Sequence, residues 1–303
     1  MAVQKRSDPD WEDLRYFLAL ARHGSLSAAA RSLGVAQPTV RRQVEQLEQQ
    51  LGVVLFTRAP NGLVPTELAR ATLPYAESLA ATARALVRSV SGSTAADRGT
   101  VRVTCSEVVG VEVMPGLLAT LRRAHPRIQI ELVLSDRNAD LARRDADVAV
   151  RMVQPRQDGL IRQRAARIEL GLFATAAYLG ERRPRALVEL AEHSLVGADR
   201  TRGLIDLLAT RGLVTTPRDY AFRCDSDLGA LAAVRAGLGI GVCQVPLSQR
   251  PVPLVRVLPR LALHIEAWVV MLEDLRAVGR VRVVYEHLAA GLAAYASPRR
   301  SER

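Results

Sequence analysis

Residues 24–48, GSLSAAARSLGVAQPTVRRQVEQLE, leave this chain little freedom: they read as two short helices joined by a tight turn. Ser25 offers a hydroxyl cap to a helix whose inner residues are Ala29, Ala30 and Leu33. Gly34 ends that helix, because a residue without Cβ enters the left-handed region without strain. After the turn Gly34-Val35-Ala36, a second helix opens with Pro38 at its first position, where no backbone N–H is needed. Val40, Val44, Leu47 and Leu51 then follow at i, i+4, i+7 and i+11, a single apolar stripe.

The stripe fixes what faces outward. With Val40 and Val44 inward, Pro38, Arg42 and Gln49 point away from the core. Thr39 and Gln46 flank them on one side, Arg41 and Glu45 on the other. Guanidinium, amide and hydroxyl groups at the start of a helix are the chemistry that meets base edges and phosphates. Only the first turns of such a helix reach bases, so Thr39, Arg41 and Arg42 lead the candidates. Gln37, Pro38 and Gln46 stand beside them, with Ser25 at the start of the preceding helix. An ordinary amphipathic helix pair with a solvated face has the same pattern, so the flanking segments decide. Before the pair, Trp11, Leu14, Leu18 and Ala21 repeat at helical spacing behind Asp10 as a cap, which supplies a third helix. After it, Val54–Arg58 and Leu63-Val64 flank Ala59-Pro60-Asn61-Gly62, a hairpin with an Asn-Gly turn signal. That hairpin is a wing, and it carries Arg58 within reach of a phosphate or a minor groove.

Residues 13–58, DLRYFLALARHGSLSAAARSLGVAQPTVRRQVEQLEQQLGVVLFTR, closely resemble the DNA-binding domain of LysR-type transcriptional regulators. The pattern AAxxLGVxQPxVxRQVxxLExxLGxxLFxR is dense and long, and the order of segments matches along essentially the whole chain. Two positions depart from the family: Ala36 stands where Ser or Thr is usual, and Arg41 where Ser is usual. Loss of a hydroxyl at position 36 weakens capping by roughly 1 kcal/mol if that residue is the cap. Arg41 adds a charge to the face that flanks the groove. The following helix opens Thr66-Glu67-Leu68-Ala69, against the family's Thr-Glu-Ala-Gly, and Thr66 joins the DNA-binding candidates. The resemblance implies an α/β protein with a mainly helical winged helix-turn-helix domain, a long linker helix and a two-lobed effector domain like a periplasmic binding protein. Its implied partners are double-stranded promoter DNA with an inverted repeat, a small effector, RNA polymerase and a second copy of the chain, in a homodimer or homotetramer.

Residues 66–91 read as one helix capped by Thr66, with Pro74 inside it, ending in the linker-like Ser91-Gly92-Ser93-Thr94. Its apolar residues Leu68, Tyr75, Leu79, Leu86 and Val90 have no evident core within one copy, so pairing with the same helix of another copy buries them. Tyr75, Leu79, Leu86 and Val90 are the expected dimerisation residues. From Arg98 the pattern alternates: a strand over 100–105, a helix over 108–124, a strand over 128–134, a helix over 138–144 and a strand over 147–151. Such a βαβαβ run predicts a parallel sheet covered by helices. A second run has strands near 169–174, 194–197, 220–224 and 239–243, with helices near 187–191, 204–211 and 228–236; a strand over 264–271 and a helix over 278–296 close the chain. The domains expected are 1–65 for DNA, 66–92 for the linker helix, 98–167 with 265–297 for the first lobe and 168–264 for the second.

Ligands of open α/β sheets sit beyond the carboxyl ends of the strands. Here those positions hold Ser106-Glu107, Ser135-Asp136 and Arg151-Met152 in the first lobe, and Asp199–Thr201, Asp225-Ser226 and Val242–Gln244 in the second. Ser106, Glu107, Ser135, Arg151, Thr201, Asp225 and Ser226 are therefore the effector candidates. Ser106 before a helix suits an anion, and Arg151 suits a carboxylate. Ser106 and Ser226 read equally well as plain caps, and Arg151 as a surface charge.

Composition narrows the class further. The 303 residues hold two or three domains, and 49% apolar content is that of a globular chain. No run approaches the roughly 20 apolar residues of a membrane span, and MAVQKRSDPDWEDL lacks the apolar core of a signal peptide, so a cytoplasmic location is expected. The formal charge of +11 favours a polyanion partner. Residues 1–90 carry 11 Lys/Arg against 8 Asp/Glu, a net of only +3, so the excess lies downstream and does not locate the DNA site. An arginine bias of the gene's base composition explains that excess equally well. Cys105, Cys224 and Cys243 are isolated, without the spacing of a zinc site or a disulfide framework, and read as small buried residues. Neither a metal nor a cofactor is expected. Gly237-Leu238-Gly239-Ile240-Gly241 lacks the G-x-G-x-x-G spacing and follows a helix, which makes it a helix end running into a strand. No hydrolase, zinc-protease or P-loop motif occurs, and the five histidines are scattered, so an enzyme is not expected. The competing reading is a DNA-binding regulator that senses no small molecule and acts through oligomerisation alone. Polar groups converging between the lobes favour the sensor; a collapsed apolar seam favours its rival.

Overall fold

The computed structural model describes residues 10–60, 62–90, 98–135, 146–201, 203–250 and 252–297. It divides into two compact units, the first of them covering the chain as far as Val87. In the first unit, α1 (Trp11–His23), α2 (Leu26–Leu33) and α3 (Gln37–Leu51) pack around Phe17, Leu20, Val40 and Leu47, all almost fully buried. Asp10 accepts the Glu12 N–H to cap α1, and Ser25 accepts the Ala28 N–H at 3.2 Å to cap α2. The helix α3 starts one residue earlier than the proline signal suggests, at Gln37, and its cap Ala36 supplies no side-chain bond. The wing is β1 (Phe56–Ala59) paired with β2 (Gly62–Pro65). Its register sets Ala59 opposite Gly62. Gly62 is needed there for a reason beyond turn chemistry. A Cβ on it would lie 2.6 Å from the Gly24 carbonyl oxygen, and its φ is 130°. The next residue, Leu63, donates its N–H to that same oxygen at 2.9 Å, so the wing is tied to the end of α1. Asn61 lies outside the described residues.

Thr66 caps the helix α4 (Glu67–Val90), which continues through Pro74. Its inner face is small: Ala69, Ala76 and Ala80 are buried in the cluster built on α1–α3. Its outer face is large and exposed, with Tyr75 at 75%, Leu79 at 52% and Leu86 at 65% of full accessibility. The Val90 side chain and the expected linker at 91–94 lie outside the described residues.

The second unit opens with β3 (Gly99–Cys105), β4 (Ile128–Leu134) and β5 (Val148–Arg151), a parallel trio. The single helix expected over 108–124 is two, α5 (Glu107–Glu112) and α6 (Met114–Ala124). The break falls at Val113, directly before the Met114-Pro115 start of α6, because Pro115 has no N–H to give the carbonyl of Val111 and its ring crowds that carbonyl. The helix expected over 138–144 lies outside the described residues. Two long strands, β6 (Leu160–Ala174) and β11 (Leu263–Leu272), pair antiparallel from Leu160↔Leu272 to Leu170↔Leu263, and β11 also pairs with β5. The end of β6 instead takes β9 (Gly241–Gln244) on one edge and β10 (Val255–Val257) on the other, both antiparallel. The sheet therefore curls from one half to the other along two continuous strands, in the order β10-β6-β11-β5-β3-β4. Sequence pattern finds only the end of β6, because Arg162, Gln163, Arg164 and Arg167 interrupt the apolar run at exposed positions. A separate parallel pair, β7 (Leu195–Gly197) with β8 (Tyr220–Arg223), completes the second half with α7 (Ala176–Leu179), α8 (Gly203–Ala209) and α9 (Asp227–Arg235). The last helix, α10 (Gly279–Ala296), returns to the first half, where Val281, Val284, Leu288 and Leu292 join Val101, Val103 and Val150 in one core.

Candidate DNA-reading face and effector cleft

On α3 the apolar stripe is buried at Val40, Val44 and Leu47, which leaves Gln37, Pro38, Arg41, Arg42 and Gln46 exposed and Thr39 half-buried. The face is held in place from three sides. Ser27 Oγ donates to Gln37 Oε1 at 3.2 Å and links α2 to α3 across the turn. Glu48 Oε1 accepts the backbone N–H groups of Leu55 at 2.6 Å and Phe56 at 3.0 Å, and so fixes the wing to α3. Asp13 on α1 is buried, hydrogen-bonded by Gln50, and its carboxyl is pushed above the ordinary value chiefly by that burial. Arg58 is exposed on β1. Ser25 and Thr66 do structural work: Ser25 caps α2, while Thr66 Oγ1 donates to the Val54 carbonyl at 3.0 Å and accepts the Ala69 N–H at 3.2 Å. Neither Ser27 nor Glu48 stands out in the sequence, because each acts on a partner whose position only the folded turn or wing supplies.

In the second unit a cleft of about 690 Å³ opens where the two halves of the sheet meet. Three of the sequence candidates line it: Ser106, Ser135 and Arg151. Arg151 is not a surface charge. It is 5% exposed, and its guanidinium donates to the Thr104 hydroxyl and the Val150 carbonyl, both at 3.2 Å. Ser106 precedes α5 without making a cap bond, whereas Ser226 caps α9 through the Gly229 N–H at 3.2 Å and donates to Glu107 Oε2 at 2.6 Å. The two serines, alike in sequence, are thus separated by the structure. Glu107, Thr201, Asp225 and Ser226 do not line the cleft. Asp225 anchors a loop instead, accepting the N–H groups of Asp199, Arg200 and Thr201 and the Thr201 hydroxyl. Those bonds, led by Thr201, hold its carboxyl well below the usual carboxylate range. Of the other strand-end positions, Met152 and Val242–Gln244 line it as well. The cleft adds Gln154, Asp227, His264 and Glu266, which the strand-end rule does not find because most come from the crossing strand or a helix start. Apolar walls come from Leu170, Leu204, Leu231 and Val242.

Cys105 and Cys243 are buried, and burial pushes the Cys243 thiol up to about 12. At that value it stays protonated and unreactive. Among the described residues no group of three or more His, Cys, Asp or Glu is placed to hold a metal ion, and no helix is long and apolar enough to cross a membrane. The glycine run 237–241 follows α9 and leads into β9; a Cβ at Gly239 would lie 2.1 Å from the Ser194 carbonyl oxygen. Close packing explains that glycine without any nucleotide.

Residues 11–70 match the bacterial regulatory helix-turn-helix family of LysR, and residues 94–293 match the LysR substrate binding domain. The chain belongs to the LysR family of transcriptional regulators. It is similar, at 27% identity over 92% of both chains, to the transcriptional activator TtdR of Escherichia coli. It is 34% identical to the regulator ClcR of Pseudomonas putida over 50% of this chain and 53% of that one. A match to the Mau operon transcriptional activator of Paracoccus denitrificans, at 32%, covers 54% of this chain and 57% of that protein. The fold is that of CbnR, a LysR family regulator, with a TM-score of 0.71 at 21% identity over 95% of this chain and 100% of that one. CbnR bound to its target DNA gives 0.69, covering 93% and 99%. LysR-type regulators are DNA-binding proteins and not enzymes; the exposed start of α3 and the wing lie within the helix-turn-helix match, and the cleft lies within the substrate-binding domain.

Proposed function

We propose that this LysR-type regulator senses a small anionic effector, a carboxylate, in the cleft beside Arg151, and that binding alters how its DNA-binding domains are placed on an inverted repeat. The observation that carries the reading is the cleft itself. Its volume of about 690 Å³ lies within the roughly 300–1,000 Å³ of small-molecule sites. Polar groups converge there, from Ser106, Ser135 and Arg151 on one side to Gln244 on the other. A collapsed apolar seam would have favoured a regulator that works by oligomerisation alone. An effector carboxylate takes charge-assisted bonds from Arg151 and the Ser106 hydroxyl, in surroundings where such bonds are stronger than in water. The apolar walls at Leu170, Leu204 and Leu231 hold its body. The working unit is a homodimer or homotetramer, supported by the exposed large face of α4.

The test is calorimetric titration of the full chain with a panel of small mono- and dicarboxylates. One of them binds the parent, and Ser106→Ala and Arg151→Gln each weaken it by about 1–3 kcal/mol while operator binding without effector is retained. Variants that bind it like the parent, or a parent that binds none of the panel, overturn the carboxylate assignment and leave oligomerisation as the better account.

A further inference from the structure

The helices α5 and α9 belong to opposite halves of the effector domain, yet they are joined at both ends. At their N-terminal ends Ser226 Oγ donates to Glu107 Oε2 at 2.6 Å. At their C-terminal ends the Arg235 guanidinium grips the Glu112 carboxylate with two nitrogens, one of them 3.0 Å from Glu112 Oε2. Both side chains of that pair are only 13% exposed. Arg235 also donates to the Arg250 carbonyl, and Glu112 is the main reason its guanidinium is held more firmly protonated than usual. Beside this pair Tyr295 of α10 donates to Gln244 Oε1 of β9 at 2.7 Å, a further bond from one half to the other. Between these contacts Val109 of α5 and Leu231 and Val234 of α9 share one buried cluster. The first turns of both helices face the cleft, through Ser106 and Val108 on one side and Asp227, Ala230 and Leu231 on the other.

We infer that Glu112 and Arg235 are positioning residues for the effector cleft: their ion pair clamps α5 to α9 and keeps the halves at the separation that leaves room for a ligand. The inference rests on the cleft being the effector site, but not on which effector fills it. A largely buried, two-pronged pair resists bending, since separating the partners strands a poorly solvated charge in each half. The β6 and β11 strands alone are a two-strand hinge and permit rotation; the clamp removes that freedom. Glu107–Ser226, a single bond beside the cleft, is the weaker of the two fastenings. Where a binding-competent arrangement is only partly populated, apparent affinity falls by that fraction.

Cys224 reports on the clamp without any effector. It lines the cleft, is half-buried, and its sulfur lies 2.9 Å from where a Gly229 Cβ in the first turn of α9 would stand, whereas Cys105 and Cys243 are buried. The experiment measures the rate at which 5,5′-dithiobis(2-nitrobenzoate) labels Cys224 in the full chain, with Cys224→Ser as the blank. Glu112→Gln and Arg235→Gln should each change that rate by about tenfold or more, as release of the clamp repopulates rotated arrangements. The charge-exchanged pair Glu112→Arg with Arg235→Glu should return it toward the parent's. Parent-like labelling in both single variants overturns the inference, and so does an exchanged pair no better than either single one. Should a variant fail to fold, Tyr295→Phe, which deletes one hydroxyl, replaces it and should shift the rate in the same direction; an unchanged rate there counts against the clamp. A failed carboxylate screen with a clamp-dependent labelling rate would refute the effector's chemistry and leave the clamp standing.

Discussion

Glu48→Ala isolates the contact that ties α3 to the wing. In the parent one carboxylate oxygen accepts two backbone N–H groups, from Leu55 at 2.6 Å and Phe56 at 3.0 Å. Both of those residues are buried, at 1% and 8% exposure. Alanine leaves the two donors without that partner in a place where water enters only if the wing lifts. An unsatisfied buried group costs about 1–3 kcal/mol, so two of them cost roughly 2–5 kcal/mol, allowing for partial solvation of Phe56. In a domain this small each 1 kcal/mol lowers Tm by about 4–8 °C. The variant should therefore unfold its DNA-binding domain at least about 8 °C early. Glu48→Gln keeps an acceptor oxygen but loses the charge, and should fall in between. Differential scanning calorimetry of the full chain reads the first-unit transition, and a gel-shift titration reads operator affinity. Both should drop, because a loosened wing no longer holds Arg58 in register with α3. A Tm for Glu48→Ala within about 2 °C of the parent would refute the argument, as it would mean that the wing stays in place without this carboxylate.

Three further outcomes follow from the same geometry. Arg42→Ala should weaken specific operator binding by about 1–3 kcal/mol in a gel-shift assay and leave Tm unchanged, since the side chain is exposed on α3; unchanged affinity would remove Arg42 from the interface. Leu79→Glu with Leu86→Glu sets charges on the exposed face of α4 and should give monomers by light scattering, with weakened operator binding; an intact dimer would place the interface elsewhere. Asp225 has a depressed folded pKa, so what it contributes to holding the loop 199–201 is fully present above its ordinary value near 3.8 and is lost as pH falls through the folded value. Hydrogen exchange at the Asp199, Arg200 and Thr201 amides should stay slow down to about pH 4 and become fast at neutral pH in Asp225→Ala; protection that survives the substitution would refute the anchor.

Local rules were sufficient wherever an element depends on its own neighbours. Asp10, Ser25 and Gly34 mark helix ends through bonds to residues within five positions, and Val40, Val44 and Leu47 define the inner face of α3 by period alone. The outward face of α3 follows from that period, which is why the exposure of Arg41, Arg42 and Gln46 is legible without coordinates. Contacts between residues far apart in the chain were not legible. Gly62 looks like a turn residue, but its lack of a Cβ answers to the Gly24 carbonyl. The extent of β6 was hidden because pairing with β11 satisfies its backbone while its charged side chains face water. Ser106 and Ser226 share one sequence context, a strand end before a helix; in the fold Ser226 caps α9 and donates to Glu107, whereas Ser106 makes no cap bond and lines the cleft. Sequence by itself therefore determined the helices α1–α3, the caps Asp10 and Ser25 and the outward face of α3, because those depend on spacing of a few residues. The tertiary structure alone decided that Arg151 is buried in a cleft wall and that Glu112 of α5 meets Arg235 of α9, since burial and charge pairing depend on which distant surfaces the folded chain brings together.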